Sequence, residues 1–487
     1  MLETLSAIFA QDWVYSVLAF IAVACTILII LVILSENRNP VKSLAWVTVL
    51  LLLPVVGQIL YLFFGRNIKN TRMISRRNRR RLKRRERRIH VDLRKCGLSE
   101  RAVQQINLGR SLQDAQYYPD NTVEVFTDGH SKFEAFEADL LAARESINIQ
   151  YYIFEDDSTG RRIASILERK AAEGVDVRLI YDHVGSFSVG SGFFRKMQKA
   201  GVKAYPFFRV TFPQLATRIN WRNHRKLSVI DSRIGWLGGM NVADRYIDGG
   251  KKFDTWRDTH VRVTGPIVEA LQYSFAVDWN FMGGSLIEVA CPDASHTKGR
   301  QGSVAGVGAQ LLTSGPTSQW ANIAFAYQKA IANASRRVYI QTPYFLPTEA
   351  LLKALQSAAL AHVDVRIMIP RRSDSAMLSH ASASYISECL RAGIKIYFYD
   401  AGMLHAKMLI VDDEIVSIGS TNFDFRSFEC NFESNLFFYS KELAADMLEV
   451  FRADQALSER VQPAVWRRRP RHIKIMESAL RLLSPVL

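Results

Sequence analysis

One pattern of side chains occurs twice in this chain and indicates a fold built from two equivalent units. Residues 223–241 read NHRKLSVIDSRIGWLGGMN, and residues 404–422 read LHAKMLIVDDEIVSIGSTN. In each copy a His is followed by a Lys two residues later and by an Asp five residues after that. A pair of small residues and an Asn then close the pattern, and the two copies lie about 180 residues apart.

The match between the halves extends well beyond this pattern, in the same order. Runs of β-branched residues alternate with amphipathic stretches at 160–172 and 349–360, which is typical of strands alternating with helices. The predicted fold class is therefore α/β, with two tandem α/β/α sandwich domains around a largely parallel or mixed sheet, related by a pseudo-twofold axis. The matching segments are INIQYYIF (147–154) with VYIQTPYF (338–345), VDVRLIYD (175–182) with VDVRIMIP (363–370), and AGVKAYPF (200–207) with AGIKIYFY (392–399).

The spacing of the pattern predicts that its polar side chains meet in one pocket. Side chains two residues apart on a strand share a face, so His224 projects with Lys226. His405 and Lys407 do the same, and a twofold axis brings both ends together. The other members are Asp231 and Asp412 at the strand ends, Gly238, Gly239, Gly419 and Ser420 where backbone can approach a ligand, and Asn241 and Asn422 at the lip.

This combination of side chains suits a phosphodiester substrate. Two Lys and two Asn can neutralise and hydrogen-bond the non-bridging oxygens, which stabilises the charge of the transition state. One imidazole can act as the nucleophile while the other, protonated, donates to the leaving oxygen. We expect no cofactor and no metal, because the sequence shows no carboxylate cluster for one.

The N-terminal region predicts a two-helix transmembrane hairpin. Residues 13–34 and 43–64 are two apolar runs, and at about 1.5 Å per residue each can cross a hydrocarbon core of about 30 Å. Glu3 and Asp12 ahead of the first run argue against a secretory signal peptide. Pro54 and Gly57 can kink the second run, which leaves a re-entrant hairpin as an alternative.

The basic residues are concentrated in two flanks of the chain. Residues 66–95 hold 15 Arg and Lys against two acidic residues, and the segment from 467 onwards adds a net +5 to a total of +16. The remaining residues are therefore close to neutral. A basic cluster directly after the second span predicts a cytoplasmic position against anionic lipids, although Arg38 and Lys42 between the spans favour the opposite orientation for the first span alone.

Two segments outside the repeat have alternative interpretations. The aromatic insertion YPFFRVTFPQLATRINW (205–221) has no counterpart in the second half, and it either contacts acyl chains or folds over the body. The C-terminal residues from 473 onwards place apolar side chains on one helix face, which predicts either an interfacial segment or a helix packed on the body. The predicted divisions are 1–65 transmembrane hairpin, 66–110 basic linker, 111–294 first domain, 295–308 linker, 309–460 second domain and 461–487 basic amphipathic segment.

These motifs resemble the phospholipase D superfamily, whose double HxKxxxxD pattern they match without a gap. With the apolar stretch LAWVTVLLLLPVVGQILYLFFGRN (44–67) and the runs TWRDTHVRVTGP and TPYFLP, the whole chain is similar to bacterial cardiolipin synthases. The resemblance implies two phospholipase D-like domains at the inner (cell) membrane. It also implies transfer of a phosphatidyl group from one phosphatidylglycerol to a histidine, with release of glycerol, and then to a second phosphatidylglycerol.

The resemblance also assigns roles to individual residues. It implies that His224 is the nucleophile and that His405 is the acid and later the base. In the family a carboxylate downstream orients each histidine, and Asp258 and Glu433 match those positions. Such a partner fixes the imidazole tautomer. Asp231 and Asp412 are interpreted as structural supports of the motif rather than proton carriers.

Three other functions stay open from the sequence. A phospholipase D-type hydrolase, or another phosphatidyltransferase, shares the first step and differs in the acceptor. A membrane-tethered nuclease is disfavoured, and no nucleic-acid partner is expected, because phosphate-backbone binding needs cations along the substrate path and the body is near neutral. A non-catalytic scaffold is disfavoured because both copies of the motif are intact.

Overall fold

The computed structural model describes residues 2–35, 40–65, 73–84, 91–209, 220–287, 289, 300–482 and 484. The chain divides into two compact units. One consists of Met1–Ile68 with Val210–Asn220, and the other of Lys69–Arg209 with Trp221–Leu487. The aromatic insertion predicted at 205–221 lies mostly outside the described residues, so its role stays a prediction.

The first unit contains apolar helices. They are α1 (Leu2–Ser35), α2 (Pro40–Leu52) and α3 (Pro54–Leu60), followed by a π-helical turn (Tyr61–Gly65). Within α1, Trp13–Ser35 is long and apolar enough to cross a membrane. The second apolar run is divided into two shorter helices, because Leu53 precedes a proline and leaves the helical conformation at φ −133°. The predicted first span is therefore supported, whereas the second apolar run forms only shorter helices.

One polar contact joins α1 to α3 inside this unit. Nε2 of Gln58 donates to O of Ala22 at 2.7 Å and to Oγ1 of Thr26 at 2.9 Å. An amide in hydrocarbon needs such partners, because lipid supplies no hydrogen bonds. The contact fits two helices that share an apolar environment.

The second unit contains the two sequence repeats. Its helices are α4 (Arg76–Arg84), α5 (Glu100–Gln113), α6 (Gly129–Ala142), α7 (Ser158–Ala172), α8 (Ser191–Lys199), α9 (Arg245–Asp248), α10 (Val268–Phe281), α11 (Asn322–Ala332), α12 (Glu349–Leu360), α13 (Ala376–Arg391), α14 (Phe425–Glu429), α15 (Lys441–Ala456), α16 (Pro463–Arg467) and α17 (Arg471–Leu482). Its strands are β1 (Tyr118–Phe126), β2 (Ser146–Tyr151), β3 (Asp176–Asp182), β4 (Lys203–Phe207), β5 (Leu227–Ile230), β6 (Ile234–Gly238), β7 (Trp256–Arg257), β8 (His260–Thr264), β9 (Val304–Ser314), β10 (Arg337–Gln341), β11 (Phe345–Leu346), β12 (Asp364–Pro370), β13 (Lys395–Tyr399), β14 (Met403–Leu404), β15 (Met408–Val411), β16 (Ile415–Gly419), β17 (Phe423–Asp424), β18 (Glu433–Tyr439) and β19 (Ser458–Arg460).

One continuous mixed sheet runs through both repeats. Its 15 strands have the order β19-β13-β12-β10-β15-β16-β18-β9-β1-β8-β6-β5-β2-β3-β4. The strands β2, β3 and β4 are parallel, as are β10, β12 and β13, and the strands between these two groups are antiparallel. The repeats meet where β1 pairs with β9, with Tyr118 opposite Ala309. This order confirms the predicted α/β fold with two related halves.

Each repeat buries its own apolar core. Ile147 and Ile149 of β2 and Val338 and Ile340 of β10 hold equivalent positions, and each is at most 1% exposed. The alternating side chains Gln150 and Gln341 are also at most 1% exposed, so both faces of these strands are covered. The predicted equivalence of these segments therefore reflects the same packing requirement in both halves.

Several predicted boundaries differ in detail from the elements observed, and the domain limits stay predictions. The predicted basic linker contains the start of α5, where Ala102 and Ile106 are buried in the core of the second repeat. In the linker predicted at 295–308 the structure describes residues from Arg300, and β9 already begins at Val304. At the C-terminus, α17 packs on α13 through an ion pair of Arg481 with Glu388, which is the second of the two predicted alternatives.

Candidate active site

Each motif histidine lies directly before its strand, in a segment that pairs with the other repeat. Asn223 forms a parallel bridge with Phe432, and N of His224 donates to O of Phe432 at 2.9 Å. In the mirrored arrangement β14 pairs in parallel with β7, and N of His405 donates to O of Arg257 at 2.7 Å. The backbone of the two repeats thus brings both histidine segments to one interface.

Both histidines are held by a buried carboxylate from the opposite repeat. Nδ1 of His224 lies 3.0 Å and 3.1 Å from the two carboxylate oxygens of Glu433. Nδ1 of His405 lies 2.6 Å from Oδ2 of Asp258. Both carboxylates are inaccessible to solvent. The resemblance implied a carboxylate downstream of each histidine, whereas the structure pairs each histidine with the acid of the opposite repeat.

The two motif lysines bind the backbone of their own histidines. Nζ of Lys226 donates to O of His224 at 2.6 Å. Nζ of Lys407 donates to O of His405 and lies 2.7 Å from the Nδ1 atom of the same residue. Because a carboxylate is the stronger acceptor, we place a proton on Nδ1 of each imidazole. The Nδ1–H group then donates a hydrogen bond to the carboxylate. This tautomer leaves Nε2 of each ring free of a proton.

Burial and neighbouring charges shift the pKa values of all four groups. Burial, together with the charge of Lys407, lowers the pKa of Lys226 to about 7. Burial lowers the pKa of Lys407 to about 8. Burial and then Lys407 lower the pKa of His405 to about 4. Burial also lowers the pKa of His224, against the opposing charge of Glu433, and Lys407 of the other repeat adds to the lowering. The charged groups of the two repeats therefore act on one another, as expected of a single site.

The motif aspartates lie at the far ends of their strands, where they order turns. Asp231 accepts the three backbone N–H groups of residues 144–146 at 2.8–2.9 Å. Asp412 accepts those of residues 335–337 at 2.7–3.2 Å. Each aspartate lies seven positions after its histidine, with six residues between them at about 3.3 Å each. These contacts fit the interpretation of both aspartates as structural supports.

The small residues of the pattern lie against the buried carboxylates. A Cβ atom on Gly239 would overlap the carboxylate of Asp258. At the equivalent position, Oγ of Ser420 donates to the carboxylate of Glu433. These positions require a small side chain because a larger one would displace the acid from its histidine.

The two motif asparagines are buried at the same interface. Oδ1 of Asn241 accepts N–H of Ile153 at 3.0 Å, and its Nδ2 donates to the hydroxyl of Tyr246. Asn422 hydrogen-bonds the carboxylate of Asp424, and its Oδ1 has no partner among the described residues. The predicted role of Asn241, Asn422, Gly239 and Ser420 in binding the substrate stays a prediction.

Aromatic rings enclose both imidazoles, which the sequence did not predict. The ring of Tyr152 meets that of His224 edge-on at 5.0 Å. His405 lies between Tyr246 at 5.7 Å and Trp256 at 5.2 Å. No spacing rule in the motif indicates these neighbours, because they lie outside it, directly after β2, in α9 and in β7.

A buried Arg–Asp–Gln cluster holds the backbone carbonyl of each residue that supplies a carboxylate. Nη1 of Arg225 pairs with Asp278 at 2.6 Å, Gln150 donates to the same carboxylate at 2.6 Å, and Nε of Arg225 donates to O of Glu433 at 3.2 Å. The equivalent cluster consists of Arg257, Asp454 and Gln341. In it the arginine donates to O of Asp258. The equivalent positions of Gln150 and Gln341 in the matched segments were the only sequence signal for these clusters.

Comparisons with known proteins agree with this arrangement. A family model described as cardiolipin synthase, PLD-like domain, matches residues 137–279 and 327–455. The major cardiolipin synthase ClsA of Bacillus subtilis (strain 168) is 39% identical over 476 residues, which cover 95% of this chain and 97% of that protein. A cardiolipin synthase of Listeria monocytogenes serotype 4b (strain CLIP80459) is 38% identical over 477 residues, with 93% and 95% coverage.

The chain belongs to the cardiolipin synthase family. Its two halves are the two phospholipase D-like repeats of that family, and the motif histidines lie within the matched ranges. A second family model, described as Phospholipase_D-nuclease N-terminal, matches residues 20–66 and so covers most of the apolar helices. With the spanning length of α1, this match supports membrane association of this family member.

A solved structure shows the same fold at lower identity. The phosphatidylserine synthase of Haemophilus influenzae Rd KW20 matches with a TM-score of 0.61 at 12% identity, covering 79% of this chain and 100% of that one. This likeness concerns the fold of the phospholipase D-like repeats. Among the described residues of this cardiolipin synthase family member, no group of three or more His, Cys, Asp or Glu side chains is placed to hold a metal ion.

Proposed function

We propose that the chain transfers a phosphatidyl group from one phosphatidylglycerol to another, giving cardiolipin and glycerol through a phosphatidyl-histidine. Membership of the cardiolipin synthase family supports this assignment. The observation that carries it is the reciprocal pairing of His224 with Glu433 and of His405 with Asp258. This pairing presents two imidazoles of the same tautomer from opposite repeats.

In the first step, Nε2 of His224 attacks the phosphorus of the donor lipid. A P–N bond forms and the P–O bond to the head-group glycerol breaks. Nε2–H of His405 delivers its proton to the leaving glycerol oxygen, so neutral glycerol departs. Lys226 and Lys407 stabilise the negative charge on the non-bridging oxygens as the transition state forms.

In the second step, the glycerol hydroxyl of a second phosphatidylglycerol enters the site. His405, now neutral, takes the proton of this hydroxyl, and the oxygen attacks the phosphorus. The P–N bond to His224 breaks and its electron pair returns to the ring. The product is cardiolipin, and His405 holds the proton until the product leaves and the pKa of its ring falls again.

His405 can act as the acid of this cycle only if the bound substrate raises the pKa of its ring. Burial and Lys407 lower that pKa to about 4, so the free enzyme keeps the ring neutral. A phosphodiester anion beside the ring favours its charged form and raises the pKa. Protonation of the acid is therefore coupled to arrival of the substrate.

The acceptor separates this proposal from its nearest alternative. If water replaces the second lipid, the same two steps yield phosphatidic acid and the chain acts as a hydrolase. The N-terminal match to residues 20–66 favours the lipid acceptor, because apolar helices hold the site at a bilayer where lipid hydroxyls are abundant. A nuclease is less favoured, because the positive charge of the chain lies in its flanks.

We also propose that the protein crosses the bacterial inner membrane twice, with its repeats on the cytoplasmic side. The 15 basic residues within 66–95 follow the second apolar run, and positive charge is retained on that side. The exposed Ile475 and Leu482 of α17 offer a further apolar contact with the membrane surface.

A product assay tests the proposed function. Full-length protein in detergent receives phosphatidylglycerol as its only lipid, and we expect cardiolipin and free glycerol in equal amounts. Phosphatidic acid as the main product would assign a hydrolase instead.

A further inference from the structure

A cavity of about 620 Å³ lies in the second unit, lined by residues of α4, α5, α10 and β9. Arg225 and Phe432 also line it, although His224 and Glu433 beside them do not. Because neighbouring side chains of an extended segment point to opposite faces, the cavity lies behind the motif histidine, away from the proposed reaction. Its volume falls within the range of small-molecule sites, about 300–1,000 Å³.

Two arginines of the basic helix α4 reach this cavity. Arg76 and Arg79 are three residues apart on one helix face, and both line it. The helix is held on α10 by a hydrogen bond of 3.0 Å from Nδ2 of Asn78 to Oδ1 of Asn280. Paired guanidinium groups at a cavity mouth bind phosphate oxygens well, through several N–H donors.

Two buried oxygens in the cavity wall have no hydrogen-bond partner in the part of the chain that the structure describes. Ser274 and Asn322 are 6% and 4% exposed, and both line the cavity. Oγ of Ser274 and Oδ1 of Asn322 have no partner among the described residues. Such orphaned groups cost free energy unless a ligand or water satisfies them, and Oδ1 can only accept. The acidic Asp114, also in the wall, adds a further acceptor.

One part of the wall is apolar, and the cavity lies near the catalytic machinery. The apolar side chains are Met73, Ile74, Leu112, Ala270, Val277, Leu311 and Phe432, and the wall also holds the polar side chains of Gln113, Gln116, Thr313, Thr317, Ser318 and Gln319. Apolar contacts of this kind suit the beginning of an acyl chain. Arg225 lines the cavity and also donates to O of Glu433. A ligand in the cavity would therefore contact the arginine that holds the backbone of Glu433, the partner of His224.

We propose that this cavity is a second lipid site, which binds an anionic phospholipid with a hydroxylated head group. Arg76 and Arg79 hold its phosphate, Ser274 and Asn322 bind its head-group hydroxyls, and the apolar wall accepts the start of an acyl chain. The site goes beyond the proposed transfer reaction, because its ligand is not consumed there.

Native mass spectrometry of the full chain tests this site. A His224→Ala background prevents turnover, and the protein is released from detergent after incubation with phosphatidylglycerol. We expect Arg76→Gln/Arg79→Gln to retain one phosphatidylglycerol fewer per chain than the background, at a lipid affinity reduced on the order of tenfold. The charge-matched control Arg80→Gln/Arg81→Gln alters exposed residues of the same helix outside the cavity wall and should retain the full number.

Further arms identify the ligand. Ser274→Leu, which fills the cavity without changing charge, should also lose one lipid while keeping the unfolding temperature of the background. The site would be overturned if both double arginine variants lost the same number of bound lipids. It would also be overturned if Arg76→Gln/Arg79→Gln lost none. Retention of phosphatidylcholine in equal number, or displacement by millimolar inorganic phosphate, would overturn the lipid assignment. Because bound lipid rather than product is counted, failure here leaves the transfer reaction untouched.

Discussion

Nδ1 of His224 lies 3.0 Å from Oε1 of Glu433, although 209 positions separate the two residues in the chain. The reciprocal pair, His405 with Asp258, is 147 positions apart and lies at 2.6 Å. Each repeat therefore supplies the acid that orients the histidine of the other. A separated repeat would carry a motif histidine without its carboxylate, so the two halves can act only together.

Glu433→Gln should lower the rate of cardiolipin formation by about 10²- to 10⁴-fold, because an amide does not hold the Nδ1–H tautomer as a carboxylate does. The measurement is the steady-state rate with phosphatidylglycerol in detergent. Glu442→Gln, an exposed residue of α15, serves as the control and should keep the parent rate. A Glu433→Gln rate within about threefold of the parent would refute the orienting role.

Beyond the fall that follows deprotonation of His405, the pH dependence of kcat/KM should show an additional alkaline limb with a midpoint near 7. The pKa of Lys226 is lowered to about 7 and that of Lys407 to about 8, so both lysines lose their charge as the pH rises through these values. The transition state then loses stabilisation and the rate falls. In Lys226→Arg the limb near 7 should disappear at a lower overall rate, since arginine stays charged. An unchanged limb in that variant would assign it to another group.

Asp454→Ala should destabilise the protein strongly. Its carboxylate is buried and pairs with Arg257 at 2.9 Å, so the variant leaves a buried guanidinium without its counter-charge. We expect the unfolding free energy to fall by about 3 kcal/mol. Glu449→Ala on the same helix breaks an exposed pair with Arg452 and should cost about 0.5 kcal/mol or less. Equal unfolding temperatures for the two variants in detergent would contradict the positioning role of the buried cluster.

Asp231→Ala should affect folding rather than chemistry. The change removes the acceptor of three backbone N–H groups at the turn before β2, which we expect to cost about 1–3 kcal/mol. The rate per folded molecule should stay close to that of the parent, because the aspartate lies at the far end of the strand from His224. A rate loss as large as that of His224→Ala, without destabilisation, would make Asp231 a participant in the reaction.

The repeat itself predicted the α/β fold and the position of its elements well. The amphipathic stretch at 349–360 is α12 (Glu349–Leu360), and Pro54 divides the second apolar run as expected. These features depend on local spacing and on the fixed φ of proline, which a sequence shows directly. The pairing of β1 with β9, which joins the halves into one sheet, depends on contacts between distant segments and had no signal in the motif.

The site was predicted in its residue types but not in its connections. The sequence indicated His224, His405, Asp258 and Glu433, whereas the crossing of the carboxylates between repeats required the twofold arrangement. The rings of Tyr152, Tyr246 and Trp256 belong to separate segments outside the motif, so no periodicity could reveal them. The domain boundaries and the ligands of the phosphate stay predictions.

The most direct measurement uses a phosphatidyl ester of p-nitrophenol, whose leaving group needs no proton. With this donor, His405→Ala should release nitrophenolate in a burst of one per chain and retain a phosphatidyl group on the peptide that carries His224. His224→Ala should give neither the burst nor the adduct. An adduct on His405 in the His224→Ala variant, or none in either variant, would contradict a shared site with His224 as its nucleophile.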